Sequence, residues 1–176
     1  TWVSRRWAKS VGVLASALAL SLGVSLTPVA PAYAADPPVT ADKQDYYKYY
    51  KLKSIHDQGI TGKGVTIAVL DGAVNPNIPE LRGANIQDRM PCVKDSAPEN
   101  MAHGTTVAQI LVSPEFGVAP DATLYTYTLP LHGDASNCTL SGWTGEAEND
   151  TPLLIEQAIN DGADIITISS NFDDNS

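Results

Sequence analysis

The stretch VTIAVLD, residues 65–71, is a short run of β-branched and apolar residues that ends in an acidic one. Turn-forming sequences flank it, with GKG before it and Asp-Gly-Ala over residues 71–73. An apolar run of this length between turn residues is typical of a strand that is buried on both faces of a parallel sheet. The stretch therefore predicts a central strand with Asp71 at its carboxyl end.

Helices and strands alternate on both sides of this stretch. The patterns predict further strands within residues 119–130 and over residues 164–170, and helices over residues 45–59, 102–112 and 151–163. In the last helix, Thr151 is the predicted cap, Pro152 the first residue, and Gly162 the stop. The predicted irregular stretches are residues 72–100 and 131–150. This order predicts an α/β fold with a parallel sheet and helices on its faces.

The chain of 176 residues stops just after the third predicted strand. A three-stranded parallel sheet leaves an open edge and a small core. We therefore expect the N-terminal part of a longer protein, with residues 49–176 as an incomplete domain and residues 35–48 as an arm or linker.

The first 34 residues have the pattern of a bacterial-type secretory signal peptide. Arg5, Arg6 and Lys9 precede an apolar run over residues 11–26, and Ala-Tyr-Ala at residues 32–34 forms a small-residue cleavage site. A permanent membrane anchor is the alternative, but the apolar run is short for a span. We expect a secreted or cell-envelope protein that has left the membrane once the signal is removed.

The charge of the chain argues against some classes of partner. Its net charge is −9, and without the predicted signal peptide eight basic residues remain against twenty acidic ones. Such an acidic chain is not expected to bind nucleic acid or an anionic membrane surface. Acidity alone identifies no substrate.

The two cysteines, Cys92 and Cys138, are predicted to form a disulfide, as is common in exported proteins. In the chain-entropy model such a link stabilises the fold by roughly 3–4 kcal/mol. No CxxC motif and no histidine at ligand spacing is present. We therefore expect no metal site and no cofactor.

Two residues form a candidate catalytic pair. Asp71 lies at the end of a predicted strand, and His103 opens the predicted helix over residues 102–112. Taken alone, Asp71 is a turn former and His103 an ordinary polar residue at a helix start. Together they place an acid beside an imidazole. An aspartate bonded to one ring nitrogen fixes the tautomer, while the other nitrogen takes a proton from a nucleophile. The helix N-terminus would favour a neutral imidazole.

Three segments in order resemble the subtilisin-like serine peptidases. These segments are GITGKGVTIAVLDGAVNPNIPEL at residues 59–81, HGTTVAQIL with GVAPDATLYTYTL within residues 103–129, and IEQAINDGADIITISSNF at residues 155–172. The resemblance implies a three-layer subtilisin-like fold, truncated after the third core strand. It maps the catalytic aspartate onto Asp71 and the catalytic histidine onto His103. The substrate groove maps onto Ser169, Ser170 and Asn171, and the implied substrate is a polypeptide.

The chain departs from the family pattern at both sites. Gly72 and Ala73 replace the usual Thr/Ser-Gly after the aspartate, which removes a hydroxyl and its local hydrogen bond. Asn171 stands where the groove strand usually has glycine. The family's calcium loop is missing, and Glu80 alone does not make a calcium site.

The 176 residues contain no Gly-Thr-Ser nucleophile motif, and the oxyanion-hole asparagine also lies beyond them in family order. We expect this fragment to be inactive and the full-length protein to be a secreted serine endopeptidase. The alternative is an inactive homologue that binds a peptide or protein, which the departures at residues 72–73 and 169–171 favour.

Overall fold

The computed structural model describes residues 39–92, 97–130 and 138–169. The predicted signal peptide, residues 1–34, and the first residues of the predicted arm lie outside the described residues. Within the described ranges, no helix is long and apolar enough to cross a membrane.

The core is a four-stranded parallel sheet. Its strands are β1 (Thr66–Asp71), β2 (Asn85–Asp88), β3 (Thr123–Thr128) and β4 (Ile165–Ile168). The strand order is β2-β3-β1-β4, so β1 lies inside the sheet, as its apolar sequence predicted. Asp71 aligns with Thr128, and Leu70 aligns with Ile168. The predicted α/β fold with a parallel sheet is confirmed.

Helices cover the sheet on two faces and make three layers. Ile67 and Val69 of β1 pack in one cluster with Ala108 and Val112 of helix α3 (Pro98–Val112). The residues between and after them, Ala68 and Leu70, face the opposite cluster, which contains Leu154 and Ala158 of helix α4 (Ala147–Asn160). Because side chains alternate along a strand, Asp71 falls on the α3 side of the sheet.

The prediction missed β2, which lies inside the stretch that was predicted to be irregular. Its sequence is Asn-Ile-Gln-Asp, and only Ile86 packs against the core. This strand is at the edge of the sheet and pairs with β3 alone. An edge strand needs only one buried side and tolerates polar residues, so the apolar pattern that revealed β1 is absent.

Both long helices begin earlier than predicted. Helix α3 starts at Pro98 rather than at residue 102, and proline is well suited to a first helical position. Its buried residues include Ala108 and Val112, whereas Ile110 is 40% exposed.

Helix α4 starts at Ala147, so Pro152 lies inside it and Thr151 is not its cap. The hydroxyl of Thr151 donates to the carbonyl oxygen of Ala147 at 2.5 Å. The fully buried Asp150 fixes the entry to the helix, since its carboxylate accepts hydrogen bonds from Thr144 N, Thr144 Oγ1 and Gly145 N at 2.6–3.0 Å.

The single helix predicted over residues 45–59 is two helices, α1 (Asp45–Tyr49) and α2 (Leu52–His56). Lys51 separates them with a left-handed backbone, φ 54°. Both helices are tied to the loop that follows α3. Tyr46 Oη donates to the carbonyl oxygen of Phe116 at 2.9 Å, and His56 Nε2 lies 3.1 Å from that of Val118.

The N-terminal segment ahead of α1 is also fastened to the body. The backbone N–H of Val39 donates to Glu80 Oε1 at 3.0 Å, and that of Ala41 donates to Glu115 Oε1 at 3.2 Å. Glu80, the residue that sequence comparison places near a calcium site in the family, therefore bonds to the chain's own backbone.

A polar contact joins β3 to the end of α4. Tyr127 Oη donates to Asp161 Oδ2 at 2.6 Å, and Gln157 Nε2 donates to Asp161 Oδ1 at 2.9 Å. Burial, together with the hydrogen bond to Asp161, raises the pKa of Tyr127 above its ordinary value. The phenol, which is protonated at neutral pH in any case, therefore keeps its proton further into the alkaline range.

The Asp150 carboxylate gives a test of how α4 is anchored. Asp150→Asn, made in the complete protein, should lower the free energy of unfolding by about 2–3 kcal/mol, because the amide presents N–H groups where backbone donors now meet oxygen. Urea unfolding measures the change. The control is Glu148→Gln in the same helix, where the side chain is exposed. A difference between the two variants below about 0.5 kcal/mol would contradict this role.

Candidate active site

Asp71 is the buried half of the candidate pair. It ends β1 with 1% of its surface exposed. Its Oδ1 accepts a hydrogen bond from its neighbour Gly72 N at 2.6 Å and lies 2.7 Å from His103 Nδ1. The turn-forming contact and the contact to histidine, which the sequence presented as alternatives for Asp71, therefore occur together at one oxygen.

His103 is the accessible half. Its side chain is 64% exposed, whereas that of Asp71 is 2% exposed. The prediction that His103 opens its helix is wrong, since it is the sixth residue of α3. The field of a helix N-terminus falls off within the first turn, so it gives no reason here for a neutral imidazole. The environment of His103 is set by Asp71 and solvent instead.

Two glycines bring α3 against the loop that follows β1. A Cβ atom added to Gly104 would lie 2.1 Å from the carbonyl oxygen of Gly72 and 3.0 Å from that of Ala73. No side chain fits at that distance, so the helix backbone itself lies against the loop. This contact is one residue from each member of the Asp71–His103 pair.

Thr105 adds a side-chain tie between the same two elements. It is 7% exposed, and its Oγ1 accepts a hydrogen bond from the backbone N–H of Asn75 at 2.9 Å. This bond was not identified from the sequence. The available signal was that Thr105, a small residue with a hydroxyl, lies one turn before the apolar Ala108 and so on the same face of the helix.

The arrangement can support proton transfer. A carboxylate only accepts hydrogen bonds, so the imidazole proton lies on Nδ1, and Nε2 is the nitrogen left to exchange a proton. A carboxylate that orients the ring in this way also stabilises the imidazolium that forms when Nε2 takes a proton. The exposure of His103 leaves room for a reacting group beside it.

The surroundings of the second carboxylate oxygen of Asp71 agree with the absence of a Thr or Ser hydroxyl at position 72. Oδ2 is buried, and among the described residues it has no hydrogen-bond partner. The missing hydroxyl at position 72 predicted the loss of a bond near this carboxylate.

The predicted groove residues are only partly described. Ser169 follows β4 directly and is exposed. Since Leu70 aligns with Ile168, Ser169 leaves the sheet level with Asp71. Ser170 and Asn171 lie outside the described residues.

Cys92 and Cys138 form a disulfide, as predicted, across 46 positions of sequence. It joins the chain after β2 to the chain that leads into α4, both at the carboxyl end of the sheet. In the ranges 39–92, 97–130 and 138–169, no three His, Cys, Asp or Glu side chains are grouped so that they could hold a metal ion.

A buried acid at the end of a parallel strand that bonds to an accessible histidine is the acid–base pairing that serine peptidases of α/β type use. The family model described as "Subtilase family" matches residues 62–176. The chain belongs to the subtilase family of serine peptidases.

Two curated relatives are proteases of Bacillus subtilis. The minor extracellular protease Vpr is 31% identical over 145 residues, a match that covers 74% of this chain and 17% of Vpr. Subtilisin E is 25% identical over 146 residues, covering 69% of this chain and 38% of subtilisin E. The chain thus spans less than two thirds of the length of either relative.

Solved structures agree on the fold. The MycP3 protease of the type VII (ESX-3) secretion system superposes with a TM-score of 0.53 at 24% identity, over 78% of this chain and 38% of that one. MycP1 of the ESX-1 system gives a TM-score of 0.52 at 24% identity, over 77% and 39% of the two chains. At this identity the likeness establishes the subtilisin-like fold.

The tie between Thr105 and Asn75 can be tested against its neighbour. Thr105→Val in the complete protein should lower the free energy of unfolding by about 1–2 kcal/mol, because the half-buried N–H of Asn75 loses its acceptor. Thr106→Val is the matched control, since Thr106 is exposed and its hydroxyl bonds within the helix to the carbonyl oxygen of Ala102. Chemical denaturation of both variants measures the difference, and equal losses would refute the tie.

Proposed function

We propose that the complete protein is a secreted serine endopeptidase in which Asp71 orients His103 and His103 is the general base. The observation that supports this most directly is the 2.7 Å contact between Asp71 Oδ1 and His103 Nδ1. It joins a buried carboxylate to an accessible imidazole in a chain of the subtilase family. The nucleophilic serine is supplied by the protein beyond residue 176.

In the proposed reaction, His103 Nε2 removes the proton of the serine hydroxyl as the oxygen attacks the carbonyl carbon of a peptide bond. The tetrahedral intermediate collapses, the C–N bond breaks, and the imidazolium returns the proton to the leaving amine. Water then repeats the sequence on the acyl-enzyme and releases the acid. Throughout, Asp71 remains an ionised acceptor at Nδ1, which favours the imidazolium at each proton transfer.

The proposed substrate is an extended polypeptide that pairs with the backbone of Ser169, Ser170 and Asn171. An extended peptide gains affinity by adding main-chain hydrogen bonds to an exposed strand. The exit of Ser169 from the sheet level with Asp71 supports this placement. Asn171 puts a side chain where the family usually has glycine, so the wall of the main specificity pocket differs in this protein.

The proposed location is outside the cell or in its envelope. Residues 1–34 have the signal-peptide pattern, the disulfide suits an oxidising compartment, and Vpr is named as an extracellular protease.

The roles of the pair are tested by fluorophosphonate labelling of the complete secreted protein. The natural protein should be labelled at serine, and His103→Ala should slow labelling by about 10³-fold or more because the serine loses its base. Asp71→Asn should slow it strongly too, since the amide favours the wrong tautomer. Mass spectrometry measures the rate and the labelled residue.

The control is His56→Ala, which removes a histidine of α2 whose ring bonds to the carbonyl oxygen of Val118 in the loop after α3. It should be labelled at the natural rate. Labelling of His103→Ala at the natural rate would overturn the role of His103.

An inactive, polypeptide-binding homologue is the second candidate, and it is favoured by Asp71 Oδ2, which lacks a hydrogen-bond partner within the described ranges. A folded complete protein that binds unfolded casein but is not labelled, and whose downstream sequence lacks the serine, would establish this candidate instead.

A further inference from the structure

We propose that Gly72 is a positioning residue: by having no side chain it lets the first turn of α3 lie against the end of β1, and this contact sets the hydrogen bond between Asp71 and His103. The proposal rests on the proposed function. Under this proposal, the glycine that replaces Thr or Ser in the family's Asp-Thr/Ser-Gly pattern has a structural role and is not a sign of lost activity.

The space beside Gly72 is already filled. A Cβ atom at this position would lie 2.8 Å from the carbonyl oxygen of Asn100 and 3.7 Å from the backbone nitrogen of Gly104. Both neighbours are helix backbone, which cannot rotate away as the end of a flexible side chain can. Any side chain at 72 must therefore push α3 as a unit.

Such a push acts on the site directly. Gly72 N donates to Asp71 Oδ1, the same oxygen that His103 Nδ1 contacts. Asn100 lies three residues before His103, in the turn that α3 has in addition to its predicted start. A shift of this turn by a few tenths of an ångström therefore changes the geometry at Oδ1 from both sides.

The same contact explains why Asp71 Oδ2 has no partner in the described part of the chain. The hydroxyl that the family pattern has next to this aspartate belongs to a serine or threonine at 72, and the Cβ of that residue would collide with Asn100 O. The space beside residue 72 can contain either the extra turn of α3 or a hydroxyl-bearing side chain, but not both. This chain has the extra turn.

Two readings of Gly72 predict opposite results for Gly72→Ser. If Gly72 were a damaged motif, the serine would restore a hydrogen bond and raise activity. If Gly72 is a positioning residue, Gly72→Ser and Gly72→Ala should both slow fluorophosphonate labelling of the complete protein by at least about tenfold, because a small misplacement of the base has a large effect on rate.

A second measurement reports the hydrogen bond itself. The proton on His103 Nδ1 gives a far-downfield proton NMR resonance, which His103→Ala identifies by its loss. In both Gly72 variants this resonance should move upfield or disappear. Gly59→Ala is the control, because Gly59 has φ +81° and open space around its Cβ. It should lower the Tm through backbone strain and leave the resonance and labelling rate unchanged.

A rescue variant covers the case in which the Gly72 variants fold poorly. Pro98→Gly with Glu99→Gly loosens the first turn of α3 and should restore much of the labelling rate, the resonance and folding to Gly72→Ser. Absence of rescue, or a Gly72→Ser protein labelled as fast as the natural one, would overturn the proposal. If the natural protein is not labelled at all, the proposed function fails, and the resonance comparison still decides the role of Gly72.

Discussion

The candidate site depends on the backbone-to-backbone contact between α3 and the loop after β1. Gly104 lies so close to the carbonyl oxygen of Gly72 that no side chain could separate them, and Thr105 fixes the same loop through the N–H of Asn75. A helix transmits position along its axis with little distortion. Once its second turn is fixed at residues 104 and 105, the imidazole of His103 has little freedom except rotation of its own side chain.

The sheet fixes the position of Asp71, the other member of the pair. Because β1 is inside the sheet and its side chains alternate, the residue at its end faces α3 and is buried. Burial of a carboxylate is unfavourable unless donors surround it. At Asp71 both contacts fall on Oδ1, and Oδ2 has no partner among the described residues. The hydrogen bond to His103 therefore offsets part of the free-energy cost of burying the Asp71 carboxylate. The same bond contributes to the stability of the fold as well as to the geometry of the site.

The sequence predicted the parts of this arrangement that apolar patterns encode. Strands β1, β3 and β4 follow from short apolar runs, and Asp71 and His103 follow from their places after a strand and in a helix. Strand β2 was missed because Ile86 alone among its four residues packs against the core, so its backbone pairing with β3 is not accompanied by an apolar pattern. The start of α3 was missed because Pro98 marks a loop as readily as a first helical turn. The loss of a hydrogen bond at Asp71 was predictable from Gly72, and among the described residues Oδ2 indeed has no partner. That a side chain at 72 would collide with the carbonyl oxygen of Asn100 could only be seen in the structure.

The motif after Asp71 illustrates why a departure from a family pattern is ambiguous until the surroundings are known. Ala73, the second departure, is 2% exposed, so its methyl group is buried in the interior. Gly72, the first, makes way for Asn100 O of the extended helix. Gly72 thus accommodates a helix that begins one turn earlier than predicted. The close approach of this helix leaves the acid and the imidazole in contact, since Asp71 Oδ1 lies 2.7 Å from His103 Nδ1.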